Sequence, residues 1–167
     1  MKLAIRPIED QGAEVIASAF KRIGWHKPVA QYRRYLREQQ RGTRSVLVAW
    51  ADGKFAGYLT IVWKTRYPLF RKKHIPEIVD LNVLPRFRRK RIGTRLNKAE
   101  AMIRTRSSFA GIGVGLAPGY EAAQRMCVRR GYMPDGLGVC YKDKPVKFGQ
   151  RLTINDDLVL HFIKKLR

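Results

Sequence analysis

The stretch 77–102, EIVDLNVLPRFRRKRIGTRLNKAEAM, constrains the fold more than any other part of the chain. A strand pattern runs from Ile78 to Leu84 and Pro85 ends it. Five of the six residues from Arg86 to Arg91 are cationic, and Ile92, Leu96, Ala99 and Ile103 then recur at the spacing of one helical face. Strand, basic turn and helix N-terminus together make a phosphate-binding design. The first turn of a helix points unpaired N–H groups and the positive end of its dipole outward. Gly93 would let a bulky anion approach the backbone and Thr94 adds a hydroxyl donor. For so short a motif the alternative is a solvated basic turn.

At 167 residues the chain has the length of one domain, and a single domain spanning 1–167 is expected. The beginning is charged too early for a signal-peptide core and no eighteen apolar residues run together, so no membrane segment and a cytoplasmic location are expected. Cys127, Cys140 and three histidines form no metal-ligand spacing, which predicts reduced thiols and no metal. Lys and Arg number 35 against 13 Asp and Glu, a formal net charge of +22. An excess of this size points to an acidic partner, nucleic acid first, or to a generally basic proteome. A monomer or homodimer fits the length equally well.

In order, the pattern predicts a strand over Lys2 to Ile8 and a helix after Glu9-Asp10 with Val15, Ile16, Ala19, Phe20 and Ile23 inward. A basic helix follows from about Pro28 to Arg41, its inner face Val29, Tyr32 and Leu36. Strands Ser45 to Trp50 and Phe55 to Trp63 flank an Asp52-Gly53 hairpin signal. The loop 64–74 interleaves cations with Tyr67 and Phe70. Such a mixture suits single-stranded nucleic acid or an acidic peptide, and equally a solvated hairpin tip with its rings folded back. Phe109 to Leu116 reads as a strand with small residues on one side, Tyr120 to Arg130 as a helix, and 137–141 and 153–165 as closing strands.

Arg88-Arg89-Lys90-Arg91-Ile92-Gly93, preceded by Leu81-Asn82-Val83-Leu84-Pro85, resembles the acyl-CoA-binding motif of the GNAT superfamily of N-acetyltransferases, Q/R-x-x-G-x-G/A. Ala123 to Tyr132 is similar to the family pattern A-x-x-L-Y-x-x-x-G-F. Two positions depart: Arg91 stands at the first glycine and Cys127 at the tyrosine. The resemblance implies an α/β fold with a central, mostly antiparallel mixed sheet of six or seven strands. Its fourth and fifth strands splay, and about four helices flank it. It also implies acetyl-CoA as co-substrate, held by Leu81, Asn82 and Val83 along the strand and by Arg88, Arg89, Lys90, Arg91, Ile92, Gly93 and Thr94 at the turn.

Acetyl transfer needs a neutral amine, and a lysine-like ammonium with a pKa of about 10.4 must first lose a proton. By resemblance to GNAT histone acetyltransferases, Glu77 is the first candidate base and Asp80, on the opposite face by the period of two, the second. Simple charge compensation is the alternative for both. Backbone N–H groups near Leu81 and Val83 would steady the oxyanion. Cys127 stands where the family commonly places the acid that protonates the thiolate. A buried inert thiol is the alternative, with Tyr120, Tyr132 or water delivering the proton.

The expected function is therefore transfer of acetyl from acetyl-CoA to a primary amine by direct attack, with an acceptor associated with RNA or protein. The alternatives are a basic nucleic-acid-binding protein on a catalytically degenerate GNAT scaffold and a small-molecule amine acetyltransferase.

Overall fold

A computed structural model describes residues 2–88 and 93–167, apart from the side chains at positions 93, 94 and 96. The chain divides into two compact units, Met1–Trp63 with Val79–Ala101, and Lys64–Ile78 with Met102–Arg167. Two elements contribute to both: strand β4 and helix α4, defined below.

The first unit begins with β1 (Leu3–Pro7), α1 (Gly12–Lys21), α2 (Val29–Gln40), β2 (Arg44–Ala51) and β3 (Lys54–Val62). β1 pairs antiparallel with β2, and β2 with β3. The hairpin forms where Asp-Gly signals it: Asp52 has φ +48° and Gly53 φ +74°, a turn that matches the twist of paired strands. Ile16 and Phe20 of α1 pack with Tyr32 and Tyr35 of α2 and with Val46, Val48, Phe55 and Tyr58 of the strands. The buried stripe of α1 is Gly12, Ala13, Ile16, Ala17 and Phe20, whereas Val15 and Ile23 are exposed. That face is turned from the expected one because small residues at 12, 13 and 17 allow close approach to the sheet. In α2 the buried residues are Tyr32 and Tyr35, with Leu36 half-buried.

The second unit contains α3 (Pro68–Lys72), β5 (Phe109–Gly115), α5 (Glu121–Arg129), β6 (Met133–Tyr141), β7 (Lys144–Pro145) and β8 (Leu158–Lys165). β4 (Glu77–Val83) enters it through its first two residues, and α4 (Gly93–Arg104) through its last turn. Strands follow the order β1-β2-β3-β4 in the first unit and β4-β5-β8-β6-β7 in the second. The parallel ladder between β4 and β5 has two pairs, Glu77↔Gly111 and Ile78↔Ile112. All other pairs described are antiparallel.

The described residues thus form eight strands in a mixed sheet and five α-helices, slightly more than the six or seven strands and four helices expected. The extra helix is α3, in the basic loop, where Tyr67 and Phe70 are buried and Lys64, Arg66, Arg71, Lys72 and Lys73 are exposed. The rings are folded back. β6 starts at Met133, earlier than the strand expected over 137–141. Its ladder with β8 has an irregularity between Pro134 and Val139, with Gly136 and Gly138 at positive φ. No described helix is long and apolar enough to cross a membrane.

Phe70 is fully buried, edge-on to Tyr67 at 4.8 Å between centroids and to His161 at 5.4 Å. Phe70→Ala is expected to destabilise the protein by about 3–5 kcal/mol, read from the urea-unfolding midpoint.

Candidate functional site

Residues 111, 113 and 115 share one face of β5 by strand alternation, and all three are glycine. Each missing side chain is replaced by a group from elsewhere in the second unit. A Cβ on Gly111 would collide with the Phe70 ring. One on Gly113 would lie 3.4 Å from Glu77 Oε1 and 3.4 Å from His161 Cδ2, and one on Gly115 would lie 2.6 Å from Tyr120 Cζ. Glu77 and Tyr120, candidate base and candidate acid, therefore rest against same-face positions two residues apart, roughly 7 Å along the strand.

Glu77 opens β4 and is only 8% exposed. Thr65 Oγ1 donates a hydrogen bond to its Oε2. Its Oε1 lies 3.8 Å from His161 Nε2, and the same nitrogen lies 4.0 Å from Asp143 Oδ1. Tyr67 stacks on the His161 ring, with centroids 3.6 Å apart and an interplanar angle of 3°, and donates to Asp135 Oδ2 at 2.5 Å. Burial pushes the imidazole below its ordinary titration range, while Asp135 and Asp143 pull the other way. Burial also raises the Tyr67 phenol, reinforced by its hydrogen bond to Asp135. His161 escaped the sequence reading. It sits in the alternating pattern of β8, where a single histidine among aliphatic residues resembles ordinary core.

Tyr120 is half-buried at the N-terminus of α5 and donates to Asp156 Oδ1 at 3.1 Å. Cys127 is buried, and loss of solvent pushes its thiol up to about 11. Tyr132 is buried too, with Lys164 Nζ 5.5 Å from its ring centre.

In the first unit, Asp80 interrupts β4 with φ +55°, so strict alternation fails there. Its Oδ2 accepts a hydrogen bond of 2.6 Å from Tyr35. The Tyr35 phenol is pushed up to about 12, first by burial and then by the Asp80 charge. Arg44 lies 4.1 Å over the Tyr35 ring. Asn82 Nδ2 donates to the Asp80 carbonyl at 3.1 Å and to Tyr58 Oη at 3.3 Å. Leu81 is half-buried and Val83 buried. The Val83 carbonyl accepts from Arg88 Nε at 3.4 Å, and the Arg88 guanidinium lies 5.7 Å from the Trp25 ring centre.

Arg89, Lys90, Arg91 and Ile92 lie outside the described residues. Gly93 and Thr94 open α4, as the motif predicts. Arg95, which the motif did not single out, is 2% exposed, and burial alone lowers its guanidinium to about 10. A Cβ on Gly57 would lie 2.6 Å from Arg95 Nη1, so the glycine leaves room for it.

The sequence profile of the Acetyltransferase (GNAT) family matches residues 13–132. No curated protein matches the chain. Solved structures similar to it include ribosomal-protein-alanine N-acetyltransferase from Brucella melitensis, 20% identical over 97% of this chain and 99% of that one, with a TM-score of 0.70. Another is yncA from Salmonella typhimurium with its cofactor acetyl-CoA, 17% identical over 99% and 94%, TM-score 0.69. A third is spermidine/spermine N-acetyltransferase SpeG from Vibrio cholerae, 13% identical over 99% and 93%, TM-score 0.67.

Both cysteines are buried and burial raises both thiols. A buried thiol raised in this way holds little of the reactive thiolate near neutral pH. Iodoacetamide should therefore leave both unmodified in the folded protein and label both in urea, read by intact mass.

Proposed function

The chain belongs to the GNAT acetyltransferase family, and from that premise we propose that it moves an acetyl group from acetyl-CoA to a primary amine by direct attack on the thioester. The observation that carries the mechanism is the Glu77 carboxylate. It is nearly buried, fixed at one oxygen by Thr65, and set against the bare backbone of Gly113. A carboxylate in that setting accepts a proton from the bound ammonium, whose electron pair then stays on nitrogen as the nucleophile.

By the family resemblance, backbone donors near Leu81 and Val83 would meet the developing oxyanion. Arg88 to Thr94, at the start of α4, would hold the pyrophosphate. Asp80 is assigned to ordering Tyr35 rather than to proton abstraction, because its carboxylate already accepts that phenol. Tyr120 is the preferred acid: it lies on the glycine face beside Glu77, whereas Cys127 is sealed in with a raised thiol.

For the acceptor we favour an amine on a protein bound to RNA, such as a ribosomal protein. A chain of formal charge +22 draws in polyanionic assemblies and repels free polyamines. A ribosomal-protein acetyltransferase is among its structural neighbours, and so is a spermidine acetyltransferase. Labelled acetyl-CoA offered with ribosomes, alanine-initiated peptides and spermidine should label ribosomal protein first. Label on spermidine alone would reverse the acceptor. No label anywhere, with salt-sensitive RNA binding, would favour the binding protein instead.

Glu77→Gln should lower kcat by about 10²-fold or more and leave the KM for acetyl-CoA within about threefold. Its residual rate should climb with pH as the free amine deprotonates unaided. Tyr120→Phe should slow turnover roughly tenfold while Cys127→Ala stays within about twofold, both read from steady-state kinetics.

A further inference from the structure

We infer that His161 is the proton exit of Glu77, a positioning residue that takes up the proton Glu77 strips from the acceptor and passes it to Asp143 at the surface. The inference rests on the assignment of Glu77 as the base. Three groups stand in line from interior to solvent. The Glu77 side chain is 11% exposed and His161 2%, with Oε1 and Nε2 3.8 Å apart; Asp143 is 50% exposed, with Oδ1 4.0 Å from the same Nε2. Both gaps exceed a hydrogen bond, so a small side-chain rotation or a bridging water closes each in turn.

The surroundings hold the imidazole for this task. Tyr67 is stacked on one face, Phe70 meets it edge-on, and Thr65 holds Glu77 Oε2 while Oε1 lies 3.8 Å from Nε2. His161 Nδ1 is buried and has no hydrogen-bond partner among the described residues. Nε2 is therefore the nitrogen that faces the ring's acidic neighbours. Those neighbours are Glu77 of β4, Asp143 in the β6–β7 turn and, through the Tyr67 hydroxyl, Asp135 and Cys140 of β6. A histidine serving only as core would be cheaper as an apolar ring, since its buried Nδ1 goes unpaired.

The protons balance. The N–H bond of the ammonium breaks and O–H forms on Glu77 Oε1. That O–H breaks as Nε2–H forms, giving imidazolium, and Nε2–H then breaks to Asp143 Oδ1 and on to water. Glu77 and His161 return to their starting charges, and one proton has moved from acceptor to solvent. Because burial keeps the resting imidazole neutral at pH 7, it is ready to accept and quick to release.

The test uses the full chain with Glu77→Gln, His161→Gln and Asp143→Asn. Asp143 has φ +62°, a conformation that asparagine also adopts readily, so Asp143→Asn should fold as the parent does. With ¹³C-labelled histidine, Glu77→Gln and Asp143→Asn should each move the His161 titration downward by about half a pH unit or more, since each removes a negative neighbour. On an alanine-initiated peptide, His161→Gln should lower kcat about tenfold and leave the KM for acetyl-CoA within about threefold, and Asp143→Asn should lower kcat about two- to fivefold. A titration that neither carboxylate variant moves overturns the relay, as does His161→Gln with parental kcat and pH profile. If Glu77→Gln is slow while both other variants turn over normally, the relay falls and the base stands. Parental kcat in Glu77→Gln overturns the base and the relay with it. Should His161→Gln fail to fold, the titrations and Asp143→Asn still decide.

Discussion

Three glycines on one face of β5 set the conditions for everything else in the second unit. A strand normally keeps its neighbours at the distance of a Cβ. At 111 and 115 that spacer is gone and the rings of Phe70 and Tyr120 lie directly on the backbone, while at 113 Val159 comes closest and the Glu77 carboxylate and His161 imidazole lie at contact distance of where a Cβ would be. The approach takes the Glu77 carboxylate out of water, and a desolvated carboxylate has to be met by donors. Thr65 is one, brought in by the turn that leads to α3. Burial of Phe70 and Tyr67 roofs the same patch, so packing and polarity are satisfied by one short segment. The cluster around Glu77 is therefore built into the core of this unit: a side chain at Gly111 would press on Phe70, and one at Gly115 on Tyr120.

The first unit solves a related problem with phenols. Tyr32, Tyr35 and Tyr58 occupy places that phenylalanine could fill by volume, and each hydroxyl brings a polar atom into the interior. Tyr32 donates to Tyr58 at 3.4 Å, Tyr58 accepts from Asn82 at 3.3 Å, and Tyr35 donates to Asp80 at 2.6 Å. Burial raises all three phenols, so they remain protonated donors at any physiological pH. The network converges on the residues of β4 where the backbone swings to positive φ at Asp80. A strand interrupted in that way turns its polar groups out of the ladder, and the phenols hold the irregular stretch in one shape.

What could be read in advance divides along physical lines. The Asp52-Gly53 hairpin, the order of strands and helices, and the small-residue side of β5 were legible because turn chemistry and alternation are local. The family was legible from the motif around Arg88 to Gly93 for the same reason, and the resemblance to GNAT histone acetyltransferases is what singled out Glu77. His161 and Thr65 were not, since they are 84 and 12 residues from Glu77 and nothing local marks either one. Asp135 fell before the strand expected over 137–141, and in the structure it lies in the irregular part of the β6–β8 ladder and accepts from Tyr67. The face of α1 was misjudged by one position because hydrophobicity favoured Val15 and Ile23 over Gly12, Ala13 and Ala17. Close helix–sheet packing selects for smallness, which a hydrophobic count does not see.

The charge balance looks different once partners are assigned. Of the 13 acidic residues, Glu14 is bound to Arg33, Glu38 to Arg34 and Arg44, and Asp52 to the backbone N–H of Lys2. Glu77, Asp80 and Asp135 accept from hydroxyls in buried or part-buried surroundings, and Asp156 accepts from Tyr120 at the surface. Accepting from a neutral hydroxyl leaves a carboxylate its full charge, so the far field follows the formal net charge of +22 and is positive, and the cations of the α3 segment face solvent. The Glu77 carboxylate, by contrast, is nearly buried. The two act at different ranges: a field reaching solvent is screened within about 8–10 Å at physiological salt, while interactions in a desolvated pocket are screened far less. Salt should consequently weaken the pull of this surface on acidic molecules at a distance, and leave the contacts around the buried Glu77 carboxylate nearly untouched.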